Sequence, residues 1–152
     1  MDTDQLLQSL GLSLGLDKLR FDANGCACLA VDGAPALNFE RDASGGIHLY
    51  SVLAPVPPDE REAVYTQLLQ GNLFGTLTAG ATLAIDELHA EIVLCRNVVA
   101  ESQTASSFES LVEAFVAAAE DWQSRLGKAP VQSSRQNTPM APRLLDPFML
   151  RG

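Results

Sequence analysis

The sequence predicts an α+β fold with three helices and about five strands. Apolar residues recur at helical spacing near the start, in the middle and near the end of the chain. Between these segments, short alternating runs are separated by glycine-containing turns such as Asn24-Gly25, Asp32-Gly33 and Gly45-Gly46. Such turns are typical of hairpins, so neighbouring strands should be antiparallel. The expected order is helix, three strands, helix, two strands, helix.

Length and hydropathy indicate one domain with surplus apolar surface. With 152 residues the chain can build one compact core but not two ordinary domains. Hydrophobic residues make up 47% of it and the mean hydropathy is +0.08, which is high for a small protein. We expect the surplus to form an exposed patch or a homodimer interface.

The charge and the cysteines indicate which partners and compartment to expect. A net charge of −9 disfavours nucleic acid, so the partner should be a protein. There is no run of about 18 apolar residues, and the first residues are acidic where a secretory signal would be basic. We therefore expect no membrane insertion and a cytosolic protein. The odd count of cysteines, Cys26, Cys28 and Cys95, fits reduced thiols.

The first half of the chain is predicted to form a short helix and three strands. The helix carries an apolar stripe made of Leu6, Leu7, Leu10 and Leu14. Gly11 and Gly15 interrupt it. The strands are expected at residues 19–22 continuing through 26–31, at 36–41, and at 47–53.

A central helix should follow Pro57 and Pro58. Asp59 with Glu62 three residues later has the spacing of a capping box. The predicted apolar stripe consists of Val64, Tyr65, Leu68, Leu69 and Leu73. Asn72 lies among these leucines and needs a partner, either across a subunit interface or at the helix end.

Two strands and a last helix complete the predicted domain. Gly75 and Gly80 allow the chain to turn with positive φ before the alternating strands that contain Leu83, Ile85, Ile92 and Leu94. Ser106 and Glu109 form a second capping-box pattern ahead of the last helix, and Gly127 should end it. Its stripe consists of Phe108, Leu111, Val112, Phe115, Ala119, Trp122 and Leu126.

Residues 128–152 differ in composition from residues 1–127. The first 127 residues carry 6 basic and 18 acidic residues, a net charge of −12, whereas the last 25 carry 4 and 1, a net charge of +3. Four prolines indicate a flexible segment. Its apolar end, Leu144, Leu145, Phe148, Met149 and Leu150, is either a loose terminus or a short motif that docks on the domain or on another protein.

The sequence shows no convincing catalytic, cofactor or metal site. Cys26 and Cys28 share a strand face at a spacing that zinc sites rarely use. His48 and His89 lack partners at motif spacing, and no nucleophile elbow or phosphate loop is present. The acidic pairs Asp86-Glu87 and Glu120-Asp121 are more simply a turn and a solvated helix face. A small metal- or ligand-binding enzyme remains the alternative from a different functional class.

Three segments resemble the class I type III secretion chaperones, the family of the Tir chaperone. The segment QLLQGNLFGTLTAGATLAIDELHAEIVLCRNV, residues 67–98, is similar to the helix, glycine-rich loop and strand pair of that family. LGLSLGLDKLRFDANG resembles its first helix and strand, and SFESLVEAFVAAAEDWQSRL resembles its closing helix. The resemblance covers residues 1–127 and implies one twisted antiparallel sheet with helices packed against it.

The resemblance also implies a function. Members have no catalytic activity and work as homodimers in the bacterial cytoplasm. They hold the N-terminal chaperone-binding region of a secreted effector extended and ready for the export apparatus; an alternative is a regulator of the same fold that sequesters another cytosolic protein. The homodimer contact would include Leu69, Leu73, Phe74, Ile92 and Leu94. The effector would add a strand at a sheet edge and contact apolar patches that contain Leu6, Leu10, Leu14, Phe21, Leu29 and Val31.

Overall fold

The computed structural model describes residues 1–128 and confirms the α+β prediction. The helices are α1 (Thr3–Ser13), α2 (Arg61–Gly71) and α3 (Ala105–Gly127), and short 3-10 turns occupy Leu73–Gly75 and Ala100–Ser102. The strands are β1 (Cys26–Leu29), β2 (Leu37–Arg41), β3 (Gly46–Pro55), β4 (Thr82–Asp86) and β5 (Glu91–Val99). They form one antiparallel sheet in the order β1-β2-β3-β5-β4. The predicted tail lies outside the described residues except for Lys128.

The core lies between one face of the sheet and two helices. α3 lies across β3 and packs against α1. Alternate residues of β3 face this core: Ile47, Leu49, Ser51 and Leu53 are buried. The predicted α3 stripe is confirmed, since Phe108, Phe115 and Trp122 are almost completely buried. Within residues 1–128, the helices are too short or too polar to cross a membrane.

Two predicted helix starts are wrong by one or two residues. α2 begins after Glu60, whose φ is 56°, and no side chain caps it. The predicted capping box with Asp59 therefore does not form. At α3 the box is made by Thr104 and Ser107 rather than by Ser106 and Glu109, with backbone-to-side-chain bonds of 3.1 and 2.9 Å. Adjacent serine and threonine residues make the register of such a box ambiguous in sequence.

The first strand is shorter than predicted because Asp22 turns the chain. The Asp22 carboxylate accepts hydrogen bonds from the amides of Asn24 (2.8 Å) and Cys26 (3.0 Å), and its own amide donates to the Cys26 carbonyl (2.8 Å). Gly25 completes the turn with a φ of 77°. Residues 19–22 are consequently not part of the sheet.

Trp122 of α3 packs directly on the end of α2. A Cβ atom placed on Gly71 would lie 2.3 Å from the indole ring, far inside contact distance. The indole N–H also donates a 2.8 Å hydrogen bond to the carbonyl of Leu77 in the loop that follows α2. Only glycine at position 71 therefore allows α2, its loop and α3 to approach this closely.

Asn72 is the C-cap residue of α2, which confirms the helix-end alternative, and its side chain reaches across to the sheet. Its side-chain amide donates to the Leu83 carbonyl (3.0 Å), and its side-chain oxygen accepts from the Leu83 amide (2.7 Å). The side chain thus pairs with the outer edge of β4 as a neighbouring strand would. This contact ties the end of α2 to the sheet.

A hydrogen bond between Asp86 and His89 closes the β4–β5 turn. The two side chains approach to 2.8 Å, and the other Asp86 oxygen accepts the amide hydrogens of Leu88 and His89. This hydrogen bond and the nearby negative charge raise the pKa of His89 above its ordinary value. The same hydrogen bond lowers the pKa of Asp86.

We predict that Gly71→Ala destabilises the protein although alanine is the better helix former. The added methyl group must displace the Trp122 ring, and overpacking of this kind costs about 1–3 kcal/mol. Gly127→Ala is the matched control, because a Cβ atom placed on this second helical glycine would meet no neighbouring atom within 4 Å. Chemical denaturation measures the free energy of unfolding of both variants. Equal free energies would contradict the packing argument.

We predict that His89 titrates above pH 6.5 and that Asp86→Asn lowers its midpoint. Because the folded-state pKa of His89 is raised, its contribution to hairpin stability is present below about pH 6.5 and is lost as the pH rises through the folded-state value. For Asp86 the pKa is lowered, so its contribution is lost as the pH falls below about 4. An NMR titration of the imidazole in both proteins measures the shift, and an unchanged midpoint would refute the pairing.

Candidate protein-binding surfaces

Four exposed large apolar side chains lie at the end of α2 and in the loop that follows it. We call this the α2-end surface; it consists of Leu69, Leu73, Phe74 and Leu77, with exposed fractions of 71, 61, 87 and 47%. Side chains of this size are normally exposed singly rather than in a cluster. The cluster therefore indicates a contact with another molecule.

The loop that carries the α2-end surface is held by hydrogen bonds. The buried Thr78 hydroxyl donates to the Ala81 carbonyl (2.6 Å), and Arg96 donates to the Ala79 carbonyl (2.7 Å). The Asn72–Leu83 pair joins the two ends of this loop, and the Trp122 bond to Leu77 holds its middle. Phe74 has a φ of 59°, a left-handed conformation that is unfavourable for a bulky residue. An exposed aromatic ring is thus held in a strained position, which is common at functional sites.

The five residues predicted for the homodimer contact divide into two groups. Leu69, Leu73 and Phe74 are exposed and belong to the α2-end surface. Ile92 and Leu94 are buried on the core face of β5. The structure therefore places these two in the monomer core, the alternative that their periodicity left open.

A second exposed apolar surface lies at the end of α1. Gly15, with a φ of 71°, ends the helix, and the Leu16 amide donates back to the Gly11 carbonyl (2.7 Å). This tight C-terminal cap needs glycine at position 11, where a Cβ would lie 2.5 Å from the Leu16 carbonyl oxygen. The cap displays Leu12, Leu14 and Leu16, which are 63, 49 and 43% exposed. We call these three the α1-end surface.

The residues predicted to contact an effector are mostly buried. Leu6 and Leu10 pack in the core, as do Phe21 and Leu29. Val31 is half-buried against that core, and Leu14 alone is exposed. The regular stripe of α1 is what holds the helix on the sheet, so an outward-facing role for Leu6 and Leu10 is not what the structure shows. The predicted effector contact does not include Leu12 and Leu16, which are exposed beside Leu14. The sequence signal for them is that they are apolar residues lying off the helical stripe.

Each edge of the sheet is partly occupied. At β4, the Asn72 side chain occupies the outward backbone groups of Leu83, whereas no described residue bonds those of Ile85, the next outward residue. At β1, the Arg41 amide donates to the Gly25 carbonyl, so Gly25 faces β2. Along an antiparallel pair, residues alternate between facing the partner strand and facing away from it. The backbone groups of Cys26 and Cys28 therefore point away from β2. Asp22 occupies those of Cys26. Among the described residues nothing bonds the outward groups of Cys28, which leaves the β1 edge open.

The described residues offer little for catalysis or metal binding. Cys26 and Cys28 are exposed, and burial raises the pKa of the half-buried Cys95 thiol, which disfavours its reactive thiolate form. Asp86, His89 and Glu91 could hold a metal ion, since one donor atom from each lies within 4.8 Å of the others. Asp86 and His89 already satisfy one another in the turn, and both are partly or largely exposed.

The protein is similar to other proteins in sequence and in fold. A protein of Chlamydia pneumoniae, CPj0713/CpB0740, is 29% identical over 126 residues, which cover 82% of this chain and 95% of that protein. The ExsC–ExsE complex contains a chain with a TM-score of 0.67 at 23% identity, covering 82% of this chain and 96% of that one. The heterodimeric ExoU–SpcU complex from the type III secretion system of Pseudomonas aeruginosa contains a chain with a TM-score of 0.60 at 25% identity. The match covers 82% of this chain and 93% of that one.

A further solved structure and a family model agree with these similarities. The HopA1–SchA chaperone–effector complex gives a TM-score of 0.66 at 22% identity, covering 79% of this chain and 91% of that one. The model of the Tir chaperone protein (CesT) family matches residues 5–123, which is well over half of the 152 residues. On this match, together with the shared fold, the chain belongs to the Tir chaperone protein (CesT) family.

Proposed function

We propose that this protein is a cytoplasmic bacterial chaperone that binds the N-terminal chaperone-binding region of a type III secreted effector. It keeps that region extended until the export apparatus takes it. The observation that carries the proposal is the open edge of β1 at Cys28. The chain belongs to this family, and its described surface also displays the α1-end and α2-end surfaces. The role is binding rather than catalysis, and it requires no cofactor.

The open edge of β1 favours one way of binding an extended client. An incoming strand would bond the outward amide and carbonyl of Cys28. Apolar client side chains would then reach the α1-end surface, including Leu14. Burying on the order of 1,000–3,000 Å² offsets the cost of ordering such a segment.

The α2-end surface supports a homodimer. Its apolar side chains sit on a loop that hydrogen bonds already fix, so little conformational entropy is lost when they are covered. A two-fold contact places the same patch of both copies in one interface and is the commonest arrangement of soluble oligomers. Leu69, Leu73 and Phe74 are the residues of the predicted contact that this surface contains.

We expect Leu73→Glu to dissociate the homodimer without unfolding the protomer. The side chain is largely exposed in the protomer, so a carboxylate is tolerated there but not in an apolar interface. Leu88→Glu is a matched control, because Leu88 is 87% exposed in the β4–β5 turn, outside this surface. Light scattering at micromolar concentration gives the mass, and circular dichroism checks the fold. A wild-type protein of monomer mass would disprove the homodimer.

We expect the tagged protein, expressed in its own bacterium, to co-purify with a secreted protein through that protein's N-terminal region. Cys28→Pro should weaken the complex, because proline removes the outward amide while leaving the ladder to β2 intact. One lost hydrogen bond costs about 0.5–1.5 kcal/mol, or roughly two- to tenfold in affinity.

Cys28→Ala is the control for this experiment, since it removes the thiol and keeps the amide. Calorimetric titration of the co-purified client into each variant compares their affinities. Equal loss in both variants would assign the effect to the side chain and argue against strand addition at β1. Mass spectrometry that finds only non-secreted partners would argue against the chaperone function itself.

A further inference from the structure

The α1-end surface needs an occupant when no client is bound. Leu12, Leu14 and Leu16 are exposed by a cap whose backbone is hydrogen-bonded, so they cannot turn inward by a small adjustment. The core positions of α1 are already filled by Leu6, Leu7 and Leu10. A free chaperone with three uncovered leucines would tend to associate through them.

We propose that the apolar end of this chain's own C-terminal segment, residues 144–150, covers the α1-end surface in the free chaperone. The segment lies outside the described residues, and its sequence is LLDPFML. Leu144, Leu145 and Phe148 supply apolar side chains of the kind that the three leucines would accept. A client that uses the same surface must displace this segment, so the contact restrains binding of clients until one with sufficient affinity arrives. This last consequence rests on the proposed function, but the contact itself does not.

Charge favours the chain's own segment over a second copy as the occupant. Residues 1–127 carry a net charge of −12, so two such bodies repel one another. Residues 128–152 carry +3, and Arg143 and Arg151 flank the apolar stretch. The segment is therefore attracted to residues 1–127. A second copy of the chain binds only where a large apolar contact outweighs the charge repulsion, as at the α2-end surface.

The length of the connecting chain makes even a weak contact effective. Sixteen residues, 128–143, join the end of α3 to Leu144. Sixteen residues can span at most about 53–58 Å, so Leu144 stays within that distance of the end of α3. Tethering of this kind gives an effective concentration on the order of 1 mM. A contact with a dissociation constant near 1 mM would then be occupied about half of the time.

Methyl NMR of the full-length protein with labelled leucines tests the contact without any client. We compare the wild type with a variant that carries Leu144→Asp, Leu145→Asp and Phe148→Asp. The control carries Ala129→Asp, Val131→Asp and Ser134→Asp, which adds the same three charges to the same segment. The methyl resonances of Leu12, Leu14 and Leu16 should shift in the first variant and keep their wild-type positions in the control. Nuclear Overhauser contacts from the Phe148 ring to these methyls should be present in the wild type.

A peptide supplied in trans provides the reciprocal measurement. The probe is a synthetic peptide of residues 140–152, added to the triple variant of residues 144, 145 and 148. It should restore the wild-type methyl positions with half-saturation on the order of 1 mM. Identical spectra of the wild type and the triple variant, or no response to the peptide, would overturn the proposal. Shifts that change with protein concentration would overturn it in favour of a second copy. None of these results depends on effector binding, so the proposed function would stand or fall separately.

Discussion

The contact between Trp122 and Gly71 is the constraint on which the functional surfaces of this protein depend. It brings the end of α2 against α3 at a distance that no side chain at position 71 permits. The indole N–H then fixes the Leu77 carbonyl, which positions the loop between α2 and β4. On this fixed loop, Leu73, Phe74 and Leu77 are exposed to solvent.

Asn72 follows directly in the chain and blocks part of one sheet edge. By pairing with Leu83 it occupies outward backbone groups of β4 with a side chain, and Asp22 does the same for Cys26 on β1. Edges that are short and partly blocked in this way resist uncontrolled edge pairing. The outward groups of Cys28 stay free for one short contact with an incoming strand.

Exposed and buried leucines have separate tasks in this small protein. Leu6, Leu7 and Leu10 of α1 and the stripe of α3 build the core, whereas the α1-end and α2-end surfaces are exposed. Each surface is carried by a segment with a glycine in the left-handed conformation, Gly15 at one and Gly75 at the other. Both segments are fixed before any partner arrives, so covering them loses little conformational freedom. Seven of the eleven exposed large apolar side chains of the described residues lie in these two surfaces.

The sequence by itself determined the order of elements, the antiparallel sheet and the family. Those features follow from local signals: periodicity located the stripe of Phe108, Phe115 and Trp122, and glycine pairs located the turns. It also grouped Leu69, Leu73 and Phe74, which the structure leaves exposed. Only the tertiary structure decided which leucines are accessible, because periodicity gives the angle of a side chain around its helix but not which side meets the sheet. Leu6 and Leu10 are buried and Leu12 is exposed for that reason. The same holds for Asn72, whose partner Leu83 lies eleven residues away on a strand edge, a pairing set by how α2 docks rather than by any pattern along the chain.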